Sequence, residues 1–503
     1  MTRREFNTSL AGLAGSTIAQ PAARRQPNIV FICSDQHSGR VLAAAGHPLI
    51  RTPNLDRLAR MGVVFRNTYS GNPVCVPGRA SMMSGRYASD VNSFCNSTVM
   101  GKVPSWGNYL RDSGYNCWAS GKLDLTKGAD YGFTEVRTSH GHSGSPDITS
   151  LFRSPVAYRV NERGNVNGRW EDREIDSDGE LARRGIEFIR SQKGSAKPWA
   201  AYMGMHMPHP KFVAQKKYLE VYPPDKMPLP EIPEGYLERR HTMFQILANF
   251  KGLQVPIAHD RVRRARAAYF GMISELDGYV GWVLDEIEKA GQMDNTLFIY
   301  TSDHGEMLGE HGLWLKNVLL ENAARVPLIM AGPGLPKGRI VDTPVSHVDM
   351  VATILDIAGA APRNANLRGR SLANGAAAHP GFAFSESHSE GNCTGSFMIR
   401  KGDWKYIYFT GDDPLLFNLK DDPGEFHNLA GKAQDVRKEL HGILTSQLDP
   451  DAVTERAFAE QERVLDNMVR TMKPDEFYEE IVGRLGPAQA RILTNRHYRK
   501  RTG

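Results

Sequence analysis

Apolar residues fall into several short continuous runs, and each run is stopped by a polar cluster. Residues 29–33 end in Ser34-Asp35-Gln36-His37, and 115–119 lead to Gly121-Lys122-Leu123-Asp124. Residues 199–205 give way to His206-Met207-Pro208-His209-Pro210, and 297–302 to Asp303-His304-Gly305-Glu306. Runs of this length without alternation predict strands covered on both faces. Two further strands are expected over 63–69 and 326–330. Between them lie helical patterns: 53–61, framed by Thr52, Pro53 and Gly62; 261–291, with Tyr269, Ile273, Leu276, Val280 and Leu284 near helical spacing; and 347–358. Strands alternating with helices predict an α/β fold with a parallel sheet. Residues 131–178 are rich in Gly, Ser, Arg and Asn and predict a loop-rich insertion that could wall a pocket. From about residue 382 the pattern changes to short aromatic strands, 397–399 and 404–409, and a turn at Asp421-Asp422-Pro423-Gly424. Helices over 435–448 and from 475 onward close the chain. The expected division is a leader and linker over 1–26, a main domain over 27–380, and a small antiparallel C-terminal subdomain with a helical tail over 381–503.

The polar clusters matter because a parallel sheet brings the carboxyl ends of its strands to one edge, where α/β folds bind ligands. Asp35 and Asp303 are hard oxygen donors at two such ends. Joined by Gln36 and His304, they suit a divalent cation of the calcium type, with Mg2+ or Mn2+ as alternatives. Either acid alone would read as a cap or turn residue. The stretch Asn72-Pro73-Val74-Cys75-Val76-Pro77-Gly78-Arg79 follows the 63–69 strand and opens a small-residue helical run. Cys75 reads as a buried thiol or as a nucleophile. A plain thiolate would need a histidine base and would attack a carbonyl, which the Pro-Gly-Arg setting and the acidic strand ends fit poorly. Lys122 and Lys316 also follow strands, although a single lysine is ordinarily a surface residue. The run Arg261, Arg263, Arg264 and Arg266 reads as a solvated helix face before a binding patch.

Composition narrows this little. The 503 residues are 41% hydrophobic and 23% charged with a net charge of +6, ordinary globular usage that calls for no nucleic-acid partner and would not repel an anionic substrate. No apolar run approaches the roughly 18 residues that cross a bilayer, so no transmembrane segment is expected. The cysteines, Cys33, Cys75, Cys95, Cys117 and Cys393, are too sparse for a disulfide scaffold. Arg3-Arg4, a mildly apolar run over 9–19 and Ala22-Ala23 resemble a twin-arginine export signal, which would send a folded protein to the periplasm.

Cys75-Val76-Pro77-Gly78-Arg79 resembles the C-x-P-x-R motif of type I sulfatases, a family of the alkaline-phosphatase-like superfamily. Ser302 through Lys316, followed by Arg325-Val326-Pro327-Leu328-Ile329, is similar to the second metal motif and catalytic-lysine region of the same family, choline sulfatases and iduronate 2-sulfatases included. The resemblance runs from Asn28 to about Leu429. It implies helices sandwiching a large, mostly parallel sheet, and conversion of Cys75 to formylglycine (3-oxoalanine) by a formylglycine-generating or sulfatase-maturing enzyme. It also implies a cation held by Asp35, Gln36, Asp303, His304 and the modified Cys75, with Arg79, Lys122, His209 and Lys316 binding sulfate or assisting catalysis. Where many relatives have a histidine two residues after the first lysine, this chain has Asp124, which becomes a candidate base for regenerating the aldehyde. Gly121-Lys122-Leu123-Asp124, Pro208-His209-Pro210, Ser385-Glu386-Ser387-His388 and Trp404-Lys405-Tyr406-Ile407 together resemble the arylsulfatase K group, glucuronate 2-sulfatases of glycosaminoglycan breakdown. That implies a sulfated glycan as substrate, with His206 and His388 as candidate substrate contacts. The competing expectations are a choline sulfatase or phosphonate monoester hydrolase, and a non-catalytic sulfated-glycan-binding protein with an unmodified Cys75. Replacing Cys75 or Arg79 by alanine is expected to abolish turnover while folding survives.

Overall fold

The computed structural model describes residues 26–137, 148–153, 156–160, 162–360 and 366–499. The expected export leader lies outside the described residues, Gln26 excepted. The central strand, Asn28–Ser34, pairs in parallel with Thr296–Ser302 on one side and Trp199–Gly204 on the other. Beyond Trp199–Gly204 the sheet continues in parallel through Asn116–Gly121 to Glu135–Arg137. Beyond Thr296–Ser302 come Leu328–Ala331, antiparallel to both its neighbours, then Val63–Phe65 and Arg339–Val341.

The central strand shows why its apolar run is continuous. Val30 and Ile32 join one core cluster, with Ala268, Ile273 and Leu284 of the helix His259–Lys289 and with Leu181 of Ser177–Ser191. Ile29, Phe31 and Cys33 join another, with Met82 and Met83 of Cys75–Ser84, Trp106 of Trp106–Asp112 and Ile354 of His347–Ile357. Successive residues point to opposite faces of a strand, and both faces here are covered by helices. At roughly 25 cal/mol per Å2 of apolar surface removed from water, an alternating polar residue on either face would forfeit that burial.

Three expectations change. The strand expected over 63–69 is two strands, because the chain turns at Arg66-Asn67 and Thr68–Tyr69 joins a separate small sheet with Arg325–Val326 and Val345–Ser346. The strand expected over 326–330 is likewise divided at Pro327, which has no N–H to give a ladder. The arginine run opening the long helix is a solvated face only in part, with Arg264 exposed, Arg261 and Arg263 half-buried and Arg266 buried. Arg261 donates to the carbonyls of Arg163 and Val166, Arg263 to those of Asp225 and Met227, and Arg264 to that of Gly168. Arg266 reaches the Leu308 carbonyl and Glu310. These guanidinium groups tie surrounding loops to the helix.

The C-terminal strands Phe382–Ser387, Ser396–Lys401, Trp404–Phe409 and Asp412–Asn418 form an antiparallel sheet in that order. Its inner face packs Phe384, Phe397 and Ile399 against Tyr87, Phe94 and Val348 of the main body. A 22-residue helix, Pro450–Thr471, which the sequence reading passes over, joins Gln434–Gln447 and Pro474–Leu485 beside it. Asp449 caps it by accepting from the Asp451 and Ala452 amides. None of the five cysteines is paired in a disulfide.

Candidate active site

Register brings the polar clusters together. Ser34 pairs with Ser302, and Cys33 and Gly121 each pair with Gly204, so Asp35, Lys122, Met205 and Asp303 leave the same edge of the sheet on neighbouring strands. The Gln36 amide donates to Asp303 Oδ1 at 3.1 Å with Gln36 in a left-handed conformation (φ 73°), and the Asp35 amide donates to the Met207 carbonyl at 3.1 Å.

Onto this edge comes the N-terminus of the helix Cys75–Ser84, every residue of which is buried. Its small residues permit the approach: a Cβ on Gly78 would lie 2.6 Å from the Asn72 carbonyl oxygen and 3.1 Å from that of Asp303. Cys75 sits in the first turn, where the helix dipole favours negative charge. Asp35, Cys75, Asp303 and His304 each offer a ligand atom, all within 4.8 Å of one another. His304 Nε2 lies 3.3 Å from Cys75 Sγ, and Lys316 Nζ lies 3.0 Å from the same sulfur and 2.9 Å from Gln36 Oε1.

Arg79 fixes the floor. Its Nε donates to Asp303 Oδ2 at 2.9 Å, and its Nη1 donates to the Lys122 carbonyl at 2.6 Å and to the Tyr202 hydroxyl at 3.1 Å. It is 0% exposed, so it belongs to the packed interior, contrary to the expectation that its removal would leave folding untouched. Lys122 Nζ is bonded to Asp35 and lies 3.5 Å from Asp124 Oδ2, which is itself 3.7 Å from Arg79 Nε.

Charge balance follows from this crowding. Burial alone would raise the Asp35 carboxyl, but Lys122, then His209, Lys316 and Arg79, hold it well below the usual carboxylate range. Burial raises Asp303, with the charge of Asp35 adding to it. Burial opposes ionisation of the Cys75 thiol too, yet Lys122 and Lys316 bring it well below an ordinary thiol. Cys33, buried without such cations nearby in excess, is pushed up to about 12. The donors fit a divalent cation: two carboxylates and an imidazole converge beside Cys75, and Asp35 Oδ1 is buried without a hydrogen-bond partner. That matches the oxygen-rich sets that hard cations take.

The candidate histidines stand differently. His209 is partly exposed, donates through Nδ1 to the Pro210 carbonyl (2.7 Å), and is close enough to influence Asp35. His206 is held by Asp178, whose carboxylate accepts from its backbone amide at 2.9 Å and lies 3.3 Å from Nδ1. His388 is 0% exposed, bonded through Nε2 to Glu386 at 2.9 Å and edge-on to the rings of Phe94 and Phe397. It lies in the packed interior, not on a pocket wall.

Sequence reasoning gave no role to two carboxylates that hold this arrangement. Glu306 accepts from Gln36 Nε2 and from the backbone amides of Leu308 at 3.0 Å and Leu315 at 2.7 Å, so the oxygen of Gln36 is turned to Lys316. Its signal was its position in the Asp303-His304-Gly305-Glu306 cluster. Glu390 receives the side-chain amides of Asn96 and Asn317, and Asn96 in turn accepts from the Val76 amide at 3.1 Å. That network joins the Cys75 helix to the Lys316 loop through Glu390, which lies 294 residues from Asn96 in sequence, and nothing local in the sequence announces it.

A family model described as "Sulfatase" matches residues 27–360, and one described as "N-sulphoglucosamine sulphohydrolase, C-terminal" matches residues 309–450. Arylsulfatase K of Danio rerio is 30% identical over 460 residues, 85% of each chain. A choline-sulfatase of Rhizobium meliloti is 32% identical over 431 residues, 80% of this chain and 82% of that one. Among solved structures, a phosphonate monoester hydrolase of Agrobacterium radiobacter superposes with a TM-score of 0.68 at 26% identity, covering 84% of this chain and 95% of that one.

Proposed function

The chain belongs to the sulfatase family and is a sulfuric ester hydrolase, and from that premise we propose that it uses a formylglycine made from Cys75 to desulfate a glycan carrying a uronate 2-O-sulfate or a related ester. The observation that carries the reading is the seat of Cys75: a sulfur at a buried helix N-terminus, 3.0 Å from Lys316 and within ligand distance of Asp35, Asp303 and His304.

Asp35, Gln36, Asp303 and His304 would hold a calcium-type cation, which supplies positive charge to the nucleophile and to the sulfuryl oxygens when bound. Formylglycine supplies, as its hydrate, one hydroxyl to attack sulfur and a second whose deprotonation later expels sulfate. The remaining work falls to this chain's side chains. Arg79 and Lys122, fixed through Asp303, Asp35 and the Lys122 carbonyl, hold charge against the nucleophile and the ester oxygens. Lys316, beside Cys75, orients the attacked group. His209, partly exposed at the mouth, or Lys316 gives the proton to the departing alkoxide, and Asp124 takes one when the aldehyde is regenerated. Residues 27–380 form the catalytic domain in this reading, and 381–503 the smaller C-terminal unit.

Among the described residues no helix is long and apolar enough to cross a membrane, and the Arg3-Arg4 leader supports export to the periplasm. Conversion of Cys75 requires a maturing enzyme as partner. The 32% identity to a choline-sulfatase favours choline sulfate as the second reading. Matured enzyme assayed on sulfated uronate disaccharides, choline sulfate and a phosphonate monoester separates them: turnover restricted to the latter two overturns the glycan assignment. The mass of the tryptic peptide containing Cys75 tests the nucleophile. A peptide wholly in the thiol form, from cells competent in maturation, refutes formylglycine chemistry and leaves a glycan-binding protein.

A further inference from the structure

Arg153 is 7% exposed, yet among the described residues no carboxylate lies within ion-pairing distance of it. Its guanidinium is held from two sides. The ring of Phe458 lies 3.9 Å from Cζ, and Nη1 donates to Gln461 Oε1 at 3.0 Å, while Gln461 is fixed by donating its Nε2 to the His388 carbonyl at 3.1 Å. Nε and Nη2, the side-on edge of the fork, have no hydrogen-bond partner. That edge is the one that receives a planar carboxylate through two parallel hydrogen bonds. Burial without a counter-charge lowers the affinity of Arg153 for its proton, to a pKa of about 10. Buried charges are ordinarily paired, because leaving one unpaired forfeits its hydration.

Arg153 forms part of the wall of a cavity of 440 Å3 between residues 151–153 and the C-terminal helices, within the range of small-ligand sites. Arg470 and Arg496 stand exposed on its rim, with Glu462 and Asp466 beside them, and among the described residues none of the four makes an ion pair within 4 Å. No lining residue belongs to the cation cluster around Cys75. We propose that this cavity is a second binding site, with no lining residue in the cation cluster, which takes a sugar-sized carboxylate-bearing ligand against the wall that Arg153 forms, the side chain turning its buried, unpartnered Nε and Nη2 edge toward the ligand. The rim arginines attract the anion, and the rim carboxylates accept from ligand hydroxyls.

The test is calorimetric titration of the full chain with sodium glucuronate, with sodium sulfate and glucose as comparisons. Arg79→Ala, in which the catalytic cations are disrupted, should retain one glucuronate-binding event if it folds; the unsubstituted protein blocked with a sulfate-ester analogue serves the same purpose. Arg153→Met, close in length and apolar, should weaken that event at least tenfold while turnover of a small aryl sulfate stays within twofold. Because Arg153→Met removes an unpaired buried charge, its thermal midpoint should match or exceed that of the unsubstituted protein. The paired rim substitution Arg470→Gln/Arg496→Gln, at exposed positions, should weaken binding several-fold without touching the core. Unchanged glucuronate binding in Arg153→Met and in the rim variant overturns the proposal, as does glucose or sulfate binding as tightly as glucuronate.

Discussion

Glu306→Gln changes one oxygen to an amide nitrogen without altering shape, and its consequence can be worked from three hydrogen bonds. Glu306 Oε1 accepts from the amides of Leu308 and Leu315, and Oε2 accepts from Gln36 Nε2. If the new glutamine keeps its oxygen on the two backbone amides, its NH2 faces the NH2 of Gln36. Gln36 could relieve the clash by flipping, but its NH2 would then meet Lys316 Nζ, now 2.9 Å from Gln36 Oε1, and an oxygen would be lost from the cation cluster. Either arrangement leaves a donor unpaired in a site where Gln36 and Glu306 are both 0% exposed. An unsatisfied buried group costs about 1–3 kcal/mol, and at 1.36 kcal/mol per decade that is roughly a 5- to 150-fold loss. The loss should appear in cation dependence, since groups that orient metal ligands typically change affinity by about 10- to 100-fold. The assay is kcat/KM for a sulfate ester as a function of free Ca2+, with chelator-treated enzyme as the start. The half-saturating Ca2+ concentration should rise by that factor, and excess Ca2+ should restore most of the rate. A cation response identical to the unsubstituted enzyme would refute the reasoning, whatever happens to stability.

Arg79→Ala should abolish turnover and also cost about 3–5 kcal/mol of stability, because it leaves Asp303 and Asp35 buried beside one cation fewer; a chemical denaturation midpoint equal to that of Cys75→Ala would contradict this. If Asp124 is the base, Asp124→Asn should release alcohol in a burst of one equivalent per active site and then turn over slowly; a fall in kcat with no burst removes it from that step. Lys405 binds Glu321 at 3.1 Å and Glu425 at 2.8 Å in a fully buried cluster, so Lys405→Met should lower stability by about 3–5 kcal/mol, and an unchanged thermal midpoint would refute it. In that cluster burial opposes ionisation, but Lys405, then Arg325 and Arg400, lower Glu321 from 4.5 to about 2. Its folded value is the lower one, so its stabilisation is complete above about pH 4.5 and is lost as pH falls toward 2. Glu425, raised by burial, works in the opposite direction. Acid denaturation of the unsubstituted protein followed against that of Glu321→Gln measures the difference, which should vanish below about pH 2.

Much of the site was legible because its chemistry sits where short-range patterns end. Asp35 and Asp303 could be assigned to one edge from the apolar runs before them, since parallel strands covered on both faces leave few alternatives. The interior could not be read that way. Arg79 looked like a pocket residue from its motif, but its burial depends on Tyr202 and the Lys122 carbonyl, which arrive from distant strands. Pro327 and the turn at Arg66-Asn67 split strands whose apolar content alone suggested continuity. The arginines from Arg261 to Arg266 were legible only as a partly solvated face, because most of their partners are backbone carbonyls, which no side-chain pattern encodes. His388 carried a motif-based expectation of substrate contact, whereas its surroundings, Phe94 and Phe397 from separate segments, enclose it.

The contacts that bury Cys75 have a consequence in time. Lys316, which touches its sulfur, is synthesised 241 residues later, and His304 229 residues later. During translation at about 5–20 residues per second, the Cys75 segment is therefore made long before the chain that will enclose it, and the interval lasts roughly 10–50 s. Under the formylglycine reading proposed above, a maturing enzyme that must grasp an extended peptide would have that interval on the ribosome. Afterwards the helix that seats Cys75 buries it, so under that reading modification would have to precede closure, and the time allowed for it is set by the distance along the chain between two ends of one site.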